Sequence, residues 1–152
     1  MKKTRLKKQT KKGLESIGKK LDREYQDLFR ELCREYDIKC EVSGIEMNVI
    51  HHFIKNKRSG YLRYNLINFV PLSNGSHCAI HTSYGDGGVI NKIVSKRSKE
   101  WSNEIDRLKD ITISKDWKYY SDARCQLEWI KEHRKEVAEA YKKYGYFKVV
   151  NK

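Results

Sequence analysis

The sequence predicts an α+β domain, a short strand–loop–strand–turn–helix unit set between long amphipathic helices. Toward both ends of the chain, apolar residues recur at intervals of three and four, the period of a helix with one buried face. In the middle, around residues 48–53 and 69–72, that period gives way to short β-branched and aromatic runs bounded by Gly, Pro and Asn. Four of the five histidines, His51, His52, His77 and His81, fall inside this middle stretch.

Residues 1–12 carry seven Lys or Arg and almost nothing apolar, which predicts a flexible basic arm. Residues 13–37 place Leu14, Ile17, Leu21, Tyr25, Leu28, Phe29, Leu32 and Tyr36 on one helical face, with Lys19, Lys20, Arg23, Arg30 and Arg34 opposite. Residues 38–95 form the central unit. Gly44 marks a turn, 48–53 is a strand built around Val49 and Ile50, and 55–60 is a basic loop. A second strand covers 69–72, where Pro71 confines it to an edge. Asn74-Gly75 then predicts a tight turn, and Ser76 a cap for a helix beginning at His77, which GDGG at 85–88 ends as a loop. Residues 96–152 complete a helical extension. One helix is expected over 90–108, with Ile93, Trp101, Ile105 and Leu108 inward. Another is expected over 122–144, with Leu127, Ile130, Val137 and Tyr141 inward and Trp129 outward.

Thirty-three Lys and Arg against twenty Asp and Glu give a formal charge of +13. Such an excess favours nucleic acid, anionic lipid or acidic protein as partner. No run is long and apolar enough to span a bilayer, so no membrane partner is expected. The basic N-terminus is not followed by the apolar region of a signal peptide, which predicts a cytoplasmic protein. Cys33, Cys40, Cys78 and Cys125 form no CxxC pair, so free buried thiols are expected rather than disulfides.

His77 and His81 stand four residues apart, so on a helix they share one face. That spacing suits two imidazoles binding one divalent ion, with His51 from the strand as a third ligand. Three protein ligands leave positions open for water and substrate, and the remaining imidazole is free to handle a proton. In a basic chain the natural substrate for such a site is a phosphodiester.

The segment HHFIKNKRSGYLRYNLINFVPLSNGSHCAIH resembles the HNH endonucleases, the ββα-metal or His-Me finger nucleases, and is most similar to small phage-type members. The resemblance covers about residues 38–85 and implies a ββα-metal finger, with a short hairpin and a helix around a single metal. It makes His51, His77 and His81 the metal ligands and His52 the general base. Asn68 becomes the residue that braces the loop backbone and helps orient that base. The implied reaction is hydrolysis of DNA, with Mg²⁺, Mn²⁺, Ni²⁺ or Zn²⁺ stabilising the phosphorane and the departing 3′ oxygen. A neutral His52 is needed, so activity is expected to fall below about pH 6.5 unless its pKa is shifted. Relatives often carry paired cysteines for a structural zinc where this chain has Cys40, Ser43, Ser73 and Ser76. Serine is a poor zinc ligand, so that knuckle is expected to be absent.

On a strand, neighbouring side chains point to opposite faces, so a distortion is expected at His52-Phe53 if both histidines serve one cleft. Lys55, Lys57, Arg58 and Arg63 lie in the loop between the strands, with Arg63 expected to clamp a phosphate close to the scissile bond. Lys92, Lys96, Arg97 and Lys99 form a second basic run, read singly as a solvated helix face. Tyr61, Tyr64 and Tyr84 fit a core or hairpin role better than base stacking. A homodimer would suit cutting of both strands. Residue usage rich in Lys, Asn, Ile and Tyr points to a phage or prophage source in a bacterial host. Two other readings remain open: a non-catalytic nucleic-acid-binding module on the same scaffold, and a recombination nuclease acting on branched DNA.

Overall fold

The computed structural model describes residues 2–54, 60–82, 86–109 and 119–149. Its first helix, α1, runs Lys2–Glu35, so the backbone of the expected basic arm continues the helix that follows it. Leu21, Tyr25, Leu28, Phe29 and Leu32 are buried along one face, as their spacing requires. The helix stops where Asp37 takes a left-handed conformation (φ 56°) and Ile38 N donates to Cys33 O at 2.8 Å. That reversal satisfies the last carbonyls, and Asp is among the few residues that tolerate it.

Strand β1 (Val49–His52) pairs antiparallel with β2 (Phe69–Leu72), in the register Val49–Leu72, Ile50–Pro71, His51–Val70 and His52–Phe69. Pro71 lacks an N–H, yet the ladder loses nothing there. Opposite it, Ile50 N donates to Gln26 Oε1 at 2.8 Å and Ile50 O accepts from Gln26 Nε2 at 2.9 Å. Ile50 thus turns both backbone groups away from β2 toward α1, and Pro71 O accepts from Glu41 N at 2.9 Å. The Gln26 amide acts as one residue of a third strand.

Two cores flank the hairpin. Ile50 and Phe69 join the α1 side chains, Leu127 and Ile130 of α6 (Tyr119–Glu132), and Val137 and Ala138 of α7 (Arg134–Tyr144). Val70 and Leu72 pack on the other side with Ile80 of α3 (Asn74–Ile80), Ile93 of α4 (Asp86–Lys96), and Trp101 and Ile105 of α5 (Lys99–Lys109). A short helix α2 (Gly60–Arg63) and a 3₁₀ turn (Leu66–Asn68) lead into β2. The protein is thus mixed helix and sheet, α+β. None of the described helices is long and apolar enough to cross a membrane.

Four details differ from the sequence-based expectations. Ser73, not Ser76, caps α3, and Asn74-Gly75 forms its first turn. Asp86 to Gly88 open α4 instead of closing the preceding helix, while Gly85 lies outside the described residues. The helix expected over 90–108 breaks at Arg97-Ser98, where Ser98 Oγ accepts from Trp101 N at 3.3 Å. The one expected over 122–144 breaks at His133, whose ring stacks at 4.3 Å on Trp129 and makes that indole half-buried rather than outward.

The Arg97 break has a strong cause. Its guanidinium turns inward, donating to Glu41 Oε2 and Oε1 at 2.9 and 2.8 Å and to Phe69 O at 3.0 Å, with its face 4.7 Å from the Trp101 ring. Tyr141 Oη also donates to Glu41 Oε1 at 2.8 Å. The two charged side chains are 1% and 6% exposed, so Arg97 does not belong to a solvated basic face. Removing one partner of such a pair strands the other charge in the core. Arg97→Met is therefore expected to lose about 3–5 kcal/mol in urea unfolding. Arg107→Ala, which breaks the exposed Arg107–Glu104 pair within α5, is expected to change stability by less than about 0.5 kcal/mol.

Candidate metal centre and its surroundings

The alternation of β1 assigns its two histidines to different faces. His51 turns toward α3 and is 3% exposed. There its ring centroid lies 5.4 Å from that of His77 and 6.4 Å from that of His81, with His77 and His81 4.8 Å apart. The Ser73 cap, whose Oγ accepts from Ser76 N at 3.2 Å, starts α3 early enough for His77 to sit inside the helix and His81 to be its last cap residue. One helical turn separates them.

One nitrogen from each of His51, His77 and His81 lies within 4.8 Å of the others. The Nε2 atoms of His77 and His81 are 3.3 Å apart. Two nitrogens each bound at the usual distance to one tetrahedral ion are separated by about 3.3 Å, so this pair already has the spacing of two ligands. His51 is buried, His77 half-buried and His81 exposed, so the cluster opens to solvent along α3. Three imidazoles with borderline-soft nitrogens fit Zn²⁺ or Ni²⁺ better than the oxygen-preferring Mg²⁺ and Mn²⁺.

His52 is not part of this cluster. Its ring packs edge-on to that of Phe69 at 5.5 Å, on the α1 side of the hairpin. Burial lowers its pKa to about 4, helped by the Arg63 and His77 charges and opposed by Asp22. Pairing remains regular through His52, and the chain bends only at Phe53 and Ile54, one residue beyond the expected distortion.

Asn68 imposes that bend. Wholly buried, its Oδ1 accepts from Ile54 N at 2.6 Å, while Nδ2 donates to Ile54 O at 3.2 Å and to Leu62 O at 3.1 Å. Its own carbonyl accepts from Phe53 N at 2.9 Å. A single amide therefore joins both ends of the loop between the strands, using an acceptor and two donors at once.

Arg63, expected as a loop cation available to phosphate, is already engaged. Its Nε and Nη2 donate to Asp22 Oδ1 and Oδ2 at 3.1 and 2.7 Å, and Tyr64 Oη donates to Asp22 Oδ1 at 2.7 Å. Sequence periodicity gave no sign of Asp22, which stands on the polar side of α1. Tyr64 is buried in the core, as expected. Lys55, Lys57, Arg58 and Tyr84 lie outside the described residues.

The zinc-knuckle positions meet without the chemistry for zinc. Ser43 N donates to Cys40 Sγ at 3.4 Å, Cys40 Sγ lies 3.6 Å from Ser76 Oγ, and Ser73 Oγ lies 3.2 Å from Ser76 Oγ. Burial opposes ionisation of Cys40, but hydrogen bonds from Ser43, Ser73 and Ser76 outweigh it and bring the thiol to about 6. Cys33 is buried too, whereas Cys78 and Cys125 are exposed, against the expectation of buried thiols throughout.

No protein-family model matches the chain, and neither the curated proteins nor the solved structures contain a significant match.

Two measurements probe this region. The His52 ring should remain neutral well below pH 6.5, with a midpoint by imidazole NMR near 4. Since unfolded His52 takes a proton near pH 6.5 and folded His52 does not, its contribution to stability is present above that pH and is lost as pH falls from there toward 4. Asn68→Asp keeps the acceptor for Ile54 N but faces the Ile54 and Leu62 carbonyls with oxygen instead of N–H. Urea unfolding should lose about 1–3 kcal/mol, the cost of leaving buried carbonyls without a donor.

Proposed function

We propose that this protein is a metal-dependent endonuclease of the HNH (His-Me finger) type, hydrolysing phosphodiester bonds in DNA. The observation that carries the reading is the meeting of His51, His77 and His81, from a strand and a helix, with ligand nitrogens within 4.8 Å. The hairpin-then-helix order and the Asn68 brace between the strands support it. So does the formal charge of +13.

In this reading His51, His77 and His81 hold one divalent ion, which when bound supplies Lewis-acid stabilisation of charge on the phosphate oxygens. His52 takes the proton from a water that attacks phosphorus, the bond to the 3′ oxygen breaks, and that oxygen takes a proton from solvent, leaving a 5′ phosphate and a 3′ hydroxyl. The lowered pKa of His52 keeps its base form available throughout the neutral range. It also makes a weak base in the free protein, and a phosphodiester anion arriving beside it would raise its basicity. The acid limit of activity therefore lies below the pH 6.5 expected of an unshifted His52. Asn68 holds the backbone on which His52 and the following loop sit.

Purified protein should nick supercoiled plasmid with at least one of Mg²⁺, Mn²⁺, Ni²⁺ and Zn²⁺, and His52→Ala should reduce the rate by roughly 10²–10⁴-fold. Calorimetric titration should show stoichiometric metal binding that His77→Ala abolishes. Metal binding without nicking by any of the four ions would favour a non-catalytic nucleic-acid-binding module on the same scaffold.

A further inference from the structure

The Asp22–Arg63 pair joins the amphipathic helix α1 to the loop between the strands. Its geometry is one-sided. The carboxylate takes Nε and Nη2, one edge of the planar guanidinium, and leaves the Nη1 edge directed away from Asp22. Arg63 remains half-exposed, with 48% of its side chain accessible, while Asp22 is held in turn by Tyr64 Oη at 2.7 Å. Tyr64 is 5% exposed and tilts against Tyr25 of α1 at 5.2 Å, so the carboxylate is anchored to the core and not merely to solvent.

Side-chain hydrogen bonds from Asn68 tie the segment that carries Arg63 to the chain that follows His52. Asn68 Nδ2 holds Leu62 O, one residue before Arg63, and the same amide holds Ile54, two residues after His52. A cation tied by one edge to a fixed carboxylate has lost most of its rotamer freedom before any ligand arrives, and its second edge can take a phosphate oxygen at little further entropic cost.

We propose that Asp22 is a positioning residue that orients Arg63 to contact a phosphate of nucleic acid bound at the His51–His77–His81 centre, making α1 part of the substrate site. The proposal rests on the nucleic-acid reading of that centre, but its test needs neither cleavage nor metal.

The sign of one effect separates positioning from simple charge. Asp22→Asn removes a negative charge from a basic protein, and the summed field alone would then tighten binding to a polyanion. Positioning demands weaker binding, because Arg63 loses its anchor. Fluorescence anisotropy of a labelled duplex in chelator at moderate salt is therefore measured for the parent, Asp22→Asn, Arg63→Ala and the double variant. The expected result is a roughly 10-fold weakening in each single variant and no further loss when the two are combined. Tyr64→Phe, which leaves the Asp22–Arg63 bonds in place, should weaken binding less than Asp22→Asn. Unchanged or tighter binding in Asp22→Asn, or additive losses in the double variant, overturns the proposal. A parent that does not bind duplex overturns it as well. In that case metal titration of the parent against His77→Ala still judges the metal centre on its own. Thermal melts accompany each variant; should Asp22→Asn melt early, Asp22→Glu serves instead, and restored affinity in that variant supports positioning while its absence overturns it.

Discussion

A guanidinium sealed in an apolar core needs partners that cannot move away, and Arg97 imposes that demand on three separated parts of the chain. Glu41 precedes the hairpin, Phe69 lies within it, and Tyr141 comes from the last long helix, yet all three converge on one charged pair. The Trp101 ring supplies an apolar and π face to the same guanidinium and donates through Nε1 to Ile67 O at 2.8 Å. The carbonyls of Ile67 and Phe69 flank Asn68. The C-terminal helices thus grip the backbone on both sides of the residue that braces the loop between the strands.

A two-stranded sheet is marginal by itself, because each strand has one unpaired edge. Here side-chain amides take over part of that pairing. Gln26 completes β1 from the α1 side, and Asn68 completes the turn of chain beyond it. Both use the property that an amide side chain presents a donor and an acceptor in the geometry of a peptide group. The same device explains why Pro71 is tolerated, since the only position of β1 opposite it looks outward to Gln26. Nearby, one thiol and three serine groups form a polar knot where thiolates would be needed to bind zinc, and α3 starts from that knot through the Ser73 cap.

Much of this was legible in the sequence where a period or a chemical scarcity carried it. The α1 face, both strands and the grouping of His51, His77 and His81 follow from spacing, since side-chain direction is set by helix and strand geometry. Breaks inside helical stretches were not legible: Arg97-Ser98 is interrupted by a tertiary contact of an inward-turning guanidinium, and His133 by a ring that stacks on Trp129 four residues earlier, neither of which apolar periodicity records. The Asn74-Gly75 pair misled because its turn preference is overridden when Ser73 caps the helix one turn earlier. Arg63 and Asp22 were illegible as a pair, being 41 residues apart and each polar on its own surface.

Neighbouring histidines look redundant in a sequence, but strand alternation makes them opposites. His51 faces the α3 imidazoles, whereas His52 faces Phe69 and the α1 side. A one-residue slip of β1 would exchange these environments wholesale, placing His51 against Phe69 and His52 among the α3 imidazoles. Register is therefore the quantity the surrounding polar contacts defend. Gln26 locks it at Ile50 by two hydrogen bonds, and Asn68 ends it after His52 by pulling Ile54 out of the ladder. An apolar core tolerates sliding of one β-branched residue past another far better than these amides tolerate a misplaced donor, so the centre owes its geometry to two neutral side chains that never touch it.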